Sequence, residues 1–158
     1  MTVPFEDPEY LEACYAALFE LLKAAPLISP QKWQTTQRLV QISDDFVIPR
    51  QPALIQVESA IRAEQKEVFG PTKWILGAVA VVYMQAEGGT QPTVVPATAA
   101  NRVIWALART FDTKPPYQKQ TLGGLVYHCW VDGNILAEVV DQQIIITAPI
   151  SILPGPVG

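Results

Sequence analysis

The segment Lys73–Gln85, KWILGAVAVVYMQ, constrains the fold more than any other because it is apolar on both of its strand faces. Trp74, Leu76, Ala78, Ala80, Val82 and Met84 fall on one side at period two, and Ile75, Val79, Val81 and Tyr83 on the other. Successive side chains of a strand point to opposite faces, so one open face would leave half of these residues in water. Such a strand belongs in the centre of a sheet, or has one face covered by a neighbouring subunit. Gly77, Ala78 and Ala80 are small enough for close packing beneath a helix.

The flanking segments supply the rest of a domain. Asp7 can cap a helix whose first position is Pro8, and Glu9 suits the positive end of its dipole. Leu11, Cys14, Tyr15, Leu18, Leu21, Leu22 and Ala25 recur at helical spacing, and Pro26 ends the run. From Pro26 to Pro52 the chain is proline-rich and reads as a long loop. Within it only Gln37–Ile42 resembles a short strand, with Asp44 and Asp45 marking a turn. Ala53–Ile61 alternates as a half-buried strand, and Ile61–Lys66 can extend it into solvent. Gly70–Pro71 turns the chain into the apolar strand. After a loop over Gly88–Gly89 and Pro92–Pro96, a second helix is expected from about Pro96 to Thr110. It buries Ala100, Val103, Ile104, Leu107 and Phe111. Beyond a Pro115–Pro116 loop come strand-like runs at Leu122–Asp132, Ile135–Val140 and Gln143–Leu153. Asp132–Gly133–Asn134 reads as a hairpin turn between the first two. This order predicts one α+β domain over residues 1–158, a mixed, mainly antiparallel sheet with two helices packed on one face. A short flexible tail is expected after 153.

Charge and composition narrow the function. The net charge of −4 comes without any run of Lys or Arg, so phosphate neutralisation by clustered cations is not expected. No apolar run approaches the roughly 20 residues of a membrane span, and MTVPFEDPEY carries acids where a signal peptide has basic residues. Folding in a cytosol is expected, with Cys14 and Cys129 as free thiols.

No arrangement of residues reads as an active site. His128 and Cys129 are adjacent, but neighbours on a strand face opposite ways and cannot act as base and nucleophile. One His and two distant Cys lack the paired spacing of a zinc site. Asp44, Asp45 and Asp132 are accounted for by turns and caps. Gly88–Gly89 and Gly123–Gly124 lie outside any phosphate-binding glycine frame. No cofactor or metal is implied. Trp74 and Trp130 are expected in the core. Trp33, in the proline-rich loop, either packs against the domain's own surface or serves as an interface anchor, since Trp is over-represented at interface hot spots.

TLGGLVYHCWVDGNI (Thr121–Ile135), the apolar run ending in Ala148–Gly155, QPALIQVESAIRAEQ (Gln51–Gln65) and GPTKWILGAVAVVY (Gly70–Tyr83) together resemble the tail terminator proteins of long-tailed bacteriophages. The helices at each end of the middle segments fall in the order of that family, so the resemblance covers most of the chain. It implies a virion protein made in the host cytoplasm, forming a hexameric ring that caps the tail tube and offers a surface to a head-completion protein. DNA then passes through the lumen without specific binding, which a net negative charge suits. Trp33, Arg38, Trp74 and Tyr83 are the candidate residues for contact with another subunit or the tube. Neighbouring head-closure and adaptor proteins share this sequence neighbourhood. A small enzyme and a monomeric partner-binding module are the remaining readings.

Overall fold

The computed structural model describes residues 7–28, 32–65, 72–86, 95–112 and 119–154. The elements run α1 (Tyr10–Lys23), β1 (Thr35–Leu39), β2 (Ala53–Glu64), β3 (Lys73–Gln85), α2 (Thr98–Thr110), β4 (Val126–Val131), β5 (Leu136–Val140) and β6 (Gln143–Pro154). The six strands form one sheet of order β1-β2-β3-β6-β4, with β5 also paired to β6. All pairs are antiparallel except β1 with β2, so the sheet is mixed and mainly antiparallel as expected. The expected turns at Gly70–Pro71 and Gly88–Gly89, the Pro115–Pro116 loop and the C-terminal tail lie outside the described residues.

Doubly apolar β3 lies between β2 and β6, and each of its faces has its own cover. On the front, Leu76, Ala78, Ala80, Val82 and Met84 join Ile144, Ile146, Ala148, Ile150 and Ile152 of β6. Cys14, Leu18 and Leu22 of α1 and Ala99, Ala100, Val103 and Leu107 of α2 pack over them. Each fully buried Leu, Ile or Val contributes roughly 1.5–3 kcal/mol, so this layer is the main source of stability. On the back, Val81 and Tyr83 join Ala53 and Ile55, roofed by Ile42, Phe46 and Ile48 from the proline-rich stretch. Both helices therefore share one face, while a loop covers part of the other.

The helices keep their expected apolar stripes, but α1 starts at Tyr10 with Glu9 at its N-cap position, not at Pro8 behind an Asp7 cap. The Asp7 carboxylate accepts the Glu9 amide at 2.9 Å ahead of α1. In α2, Ala100, Val103 and Leu107 are buried, with Ile104 and Phe111 packed at the rim. The first strand is displaced from its expected span of Gln37–Ile42 to Thr35–Leu39. The Gln34 amide donates to Pro52 O at 2.9 Å where pairing begins, and Ile42 is drawn down as a plug on the back face.

Asp132–Gly133–Asn134 does not form the expected hairpin. β4 and β5 both run antiparallel to β6, against residues 150–154 and 143–147, so they are two lengths of one interrupted edge strand. The interruption faces Pro149, whose carbonyl accepts the Asp132 amide at 2.9 Å. An antiparallel residue presents its N–H and C=O to the same neighbour, and proline has no N–H, so the ladder breaks there. The hairpin is instead Asp141–Gln142, joining β5 to β6, with φ of 50° and 67°. Two left-handed residues match the strand twist, but Gln is an uncommon choice there and gave no turn signal.

Gly77 shows how closely β2 and β3 approach at the irregularity between Val57 and Ala60: a Cβ there would meet Ala60 O at 2.9 Å. The obstacle is backbone, so the strands themselves must shift. We expect Gly77→Ala to destabilise the protein by about 1–3 kcal/mol, read as a lower urea midpoint with an unchanged denaturant slope.

Candidate functional site

The most developed polar arrangement in the structure centres on Arg38, where β1 and β2 meet α1. Arg38 lies opposite Gln56 in the β1–β2 register, which puts both on the helix-covered face. Its guanidinium donates from Nε and Nη2 to Glu58 at 2.6 and 2.8 Å, and from Nη1 and Nη2 to Glu12 at 2.7 and 2.8 Å. Both carboxylates are thus held bidentately, the strongest geometry open to such a pair. Gln56, fully buried, donates through Nε2 to Tyr15 O at 3.0 Å and to Glu58 Oε2 at 2.7 Å, leaving its Oε1 without a partner. The Tyr15 hydroxyl donates to Gly77 O at 2.8 Å.

The electrostatics follow from this geometry. Hydrogen bonds from Arg38 hold the Glu12 carboxyl below its usual range, and the two carboxylates push the Arg38 guanidinium further up. Burial, aided by the Glu58 charge, raises the Tyr15 phenol to about 12. The paired charges tie α1 to the sheet edge. Arg38 is therefore a clasp within the chain.

The other expected contact residues fall in separate places. Tyr83 is 7% exposed and lies against Phe46, with ring centroids 5.9 Å apart, so its own chain covers it. Trp33 is half-buried against the front core, and its Nε1 is buried without a hydrogen-bond partner. Trp74 is half-buried as well, because β6 pairs with β3 only from Leu76 and leaves the start of β3 beside β2 alone. Trp130 is also half-buried, outside the core clusters where it was expected, and stacks on His128 with centroids 4.8 Å apart.

His128 and Cys129 do face opposite ways. Cys129 is 1% exposed in the front core, whereas His128 shares the other face with Trp130. Burial and the nearby Cys14 push the Cys129 thiol up to about 12, and burial raises Cys14 too. On the His128 side, the Ser151 hydroxyl donates to Asp132 at 2.8 Å. Among the described residues no three His, Cys, Asp or Glu side chains gather as a metal site. A depression of about 610 Å³ is lined by Pro49, Gln51, Pro52, Met84, Gln85, Ala86 and Ala99, none of them ionisable. No helix among the described residues is long and apolar enough to cross a membrane.

What the surface does offer is exposed apolar side chain. All five residues of β5 are exposed, Leu136 at 60%, Val139 at 44% and Val140 at 45%. Trp105 on α2 is 48% exposed, and Val40 and Val47 stand out from the loop behind the sheet. Sequence reasoning passed over Trp105 and β5. Trp105 lies off the Ala100–Val103–Leu107 stripe, a signal that was there to use. The exposure of β5 depends on its edge position, which no local pattern encodes.

No protein-family model matches this sequence, and no curated protein matches it. The class that the fold and surface define is an α+β protein with a mixed sheet, an internal polar clasp and an uncovered apolar edge.

Arg38→Ala strands two carboxylates, one of them mostly buried, and is expected to cost about 2–3 kcal/mol at neutral pH. Arg38→Lys costs less, since it keeps the charge without the bidentate geometry. Because the Glu12 carboxyl is lowered, its contribution is present above the usual carboxylate range and lost as pH falls through the lowered value. Urea midpoints measured down the pH scale therefore fall less steeply for Arg38→Ala than for the parent. Maleimide is expected to spare Cys14 and Cys129 in the native protein and to label both in urea, read by mass spectrometry.

Proposed function

We propose that this chain is a structural subunit of a ring, acting as the terminator of a bacteriophage tail at its head-proximal end. The observation that carries the reading is β5, an edge strand exposed at all five positions and rich in Leu and Val. Proteins that work as monomers usually blunt such edges with Lys, Pro or a covering segment, because unpaired backbone recruits other strands. Here the strand is short and carries one charge, Glu138, but has neither Lys nor Pro and leaves Leu136, Val139 and Val140 exposed, and an assembly partner gives a reason for that apolar edge to stay open. The resemblance of Thr121–Ile135 and the strands before it to tail terminators points the same way. The Arg38 cluster is spent within the chain, joining α1 to the sheet.

In this reading the subunit is not an enzyme and needs no cofactor; its activity is shape. Copies close into a ring that seats on the tail tube protein and presents a face to a head-completion protein. A net charge of −4 suits a lumen through which DNA slides without being held. The test is the mass of the purified protein in solution, together with negative-stain images of tail tubes to which it has been added. A ring in solution, or one formed only at tube ends, is the expected result. A protein that stays monomeric and never joins tubes overturns the proposal.

A further inference from the structure

We infer that two copies of this chain join edge to edge, the β5 strand of one pairing antiparallel with the β1 strand of the next. The inference deepens the ring reading, on which it rests for its choice of a second copy as the occupant of the edge. Among the described residues the sheet has β1 at one end, paired only with β2, and β5 at the other, paired only with β6. Both strands are five residues long. Following the pairings across the sheet, β1 runs parallel to β2, antiparallel to β3, parallel to β6 and so antiparallel to β5. Rotation about an axis along the strands preserves these directions, so successive copies bring β5 and β1 together as an antiparallel pair. Such a head-to-tail contact is heterologous, the kind that closes into rings.

The side chains favour this pairing over the pairing of β5 with itself. On the face behind the helices β5 presents Leu136, Glu138 and Val140, opposite Thr147, Ile145 and Gln143 of β6. On the same face β1 presents Thr35, Gln37 and Leu39, opposite Ala53, Ile55 and Val57 of β2. Full antiparallel overlap sets Leu136 against Leu39, Glu138 against Gln37 and Val140 against Thr35. That gives one apolar pair, one acid with an amide that can donate to it, and one β-branched pair, all favourable across strands. Two β5 strands in full overlap instead set Glu138 against Glu138, and like charges directly opposite are destabilising. Arg38, the one charged residue of β1, is already bound to Glu12 and Glu58 on the other face and adds no free charge to the contact.

Gln37 and Glu138 are both exposed, so replacing them leaves the cores intact. The experiment uses the full chain as Gln37→Cys, as Glu138→Cys and as the double variant, each alone and on tail tubes, bridged by a short bis-maleimide. The native thiols are buried and stay silent. The double variant is expected to give a ladder of covalent multimers. A mixture of the two single variants is expected to give dimers only, and each single variant alone none. Cross-linking of Glu138→Cys alone means that β5 pairs with itself and overturns the inference, as does the lack of any cross-link in the double variant in both settings. A ladder in a protein that never joins tubes upholds the edge contact and removes the terminator reading. Ring formation on tubes without cross-linking does the reverse.

Discussion

The rest of the structure depends on hiding both faces of β3. A strand apolar on both faces from Trp74 to Met84 has no orientation that leaves it half in water, so the chain must build two covers. The helices provide one, and their apolar stripes meet the β3 and β6 side chains in a single continuous core. The other cannot be a helix, because both helices are already used on the front. The stretch after β1 serves instead, dropping Ile42, Phe46 and Ile48 onto Val81, Tyr83 and Ile55. A segment that reads as a loop because of its prolines is thus a structural layer. Its length is explained by the distance it travels from β1 across the sheet back to β2.

The polar clasp at Arg38 answers a second requirement of the same arrangement. α1 precedes β1 in the chain and must be held over the β1–β2 edge, where the apolar core thins. One guanidinium joins Glu12 of α1 to Glu58 of β2, and Gln56 extends the link to the α1 backbone. The partners are 20 and 26 residues from Arg38 in sequence. Such a cluster is satisfied only when all three elements are in place, which makes it a device for fixing their arrangement more than a source of net stability. The same engagement holds both carboxylates within the chain, while β5 stands exposed at all five of its positions.

That strand owes its form to a single proline. Pro149 sits within β6, between β3 and the β4–β5 edge, and cannot donate a ladder hydrogen bond toward that edge. The edge strand kinks at Asp132–Ile135 and resumes as β5, where Gly133 passes within 3.2 Å of the Pro149 ring, measured from where a Cβ would stand. The kink gives these residues a geometric role: they place a short strand at the rim of the sheet.

Much of the fold was legible in the sequence because burial is written locally wherever an element has a regular period. The two helices, the alternation of β2, the doubly apolar β3 and the opposed directions of His128 and Cys129 all follow from spacing alone. Pairing is not local. That β1 starts at Thr35, that Asp132–Gly133–Asn134 is a kink and that Asp141–Gln142 is the true hairpin depend on what lies alongside each strand. The candidate site divides in the same way. Trp33, Arg38, Trp74 and Tyr83 were chosen by residue type, yet tertiary structure turned Arg38 inward to two carboxylates and placed Tyr83 beneath Phe46. The sequence by itself determined which residues must leave water. Only the tertiary structure decided which neighbours cover them, because cover comes from segments that meet across the sheet and not along the chain.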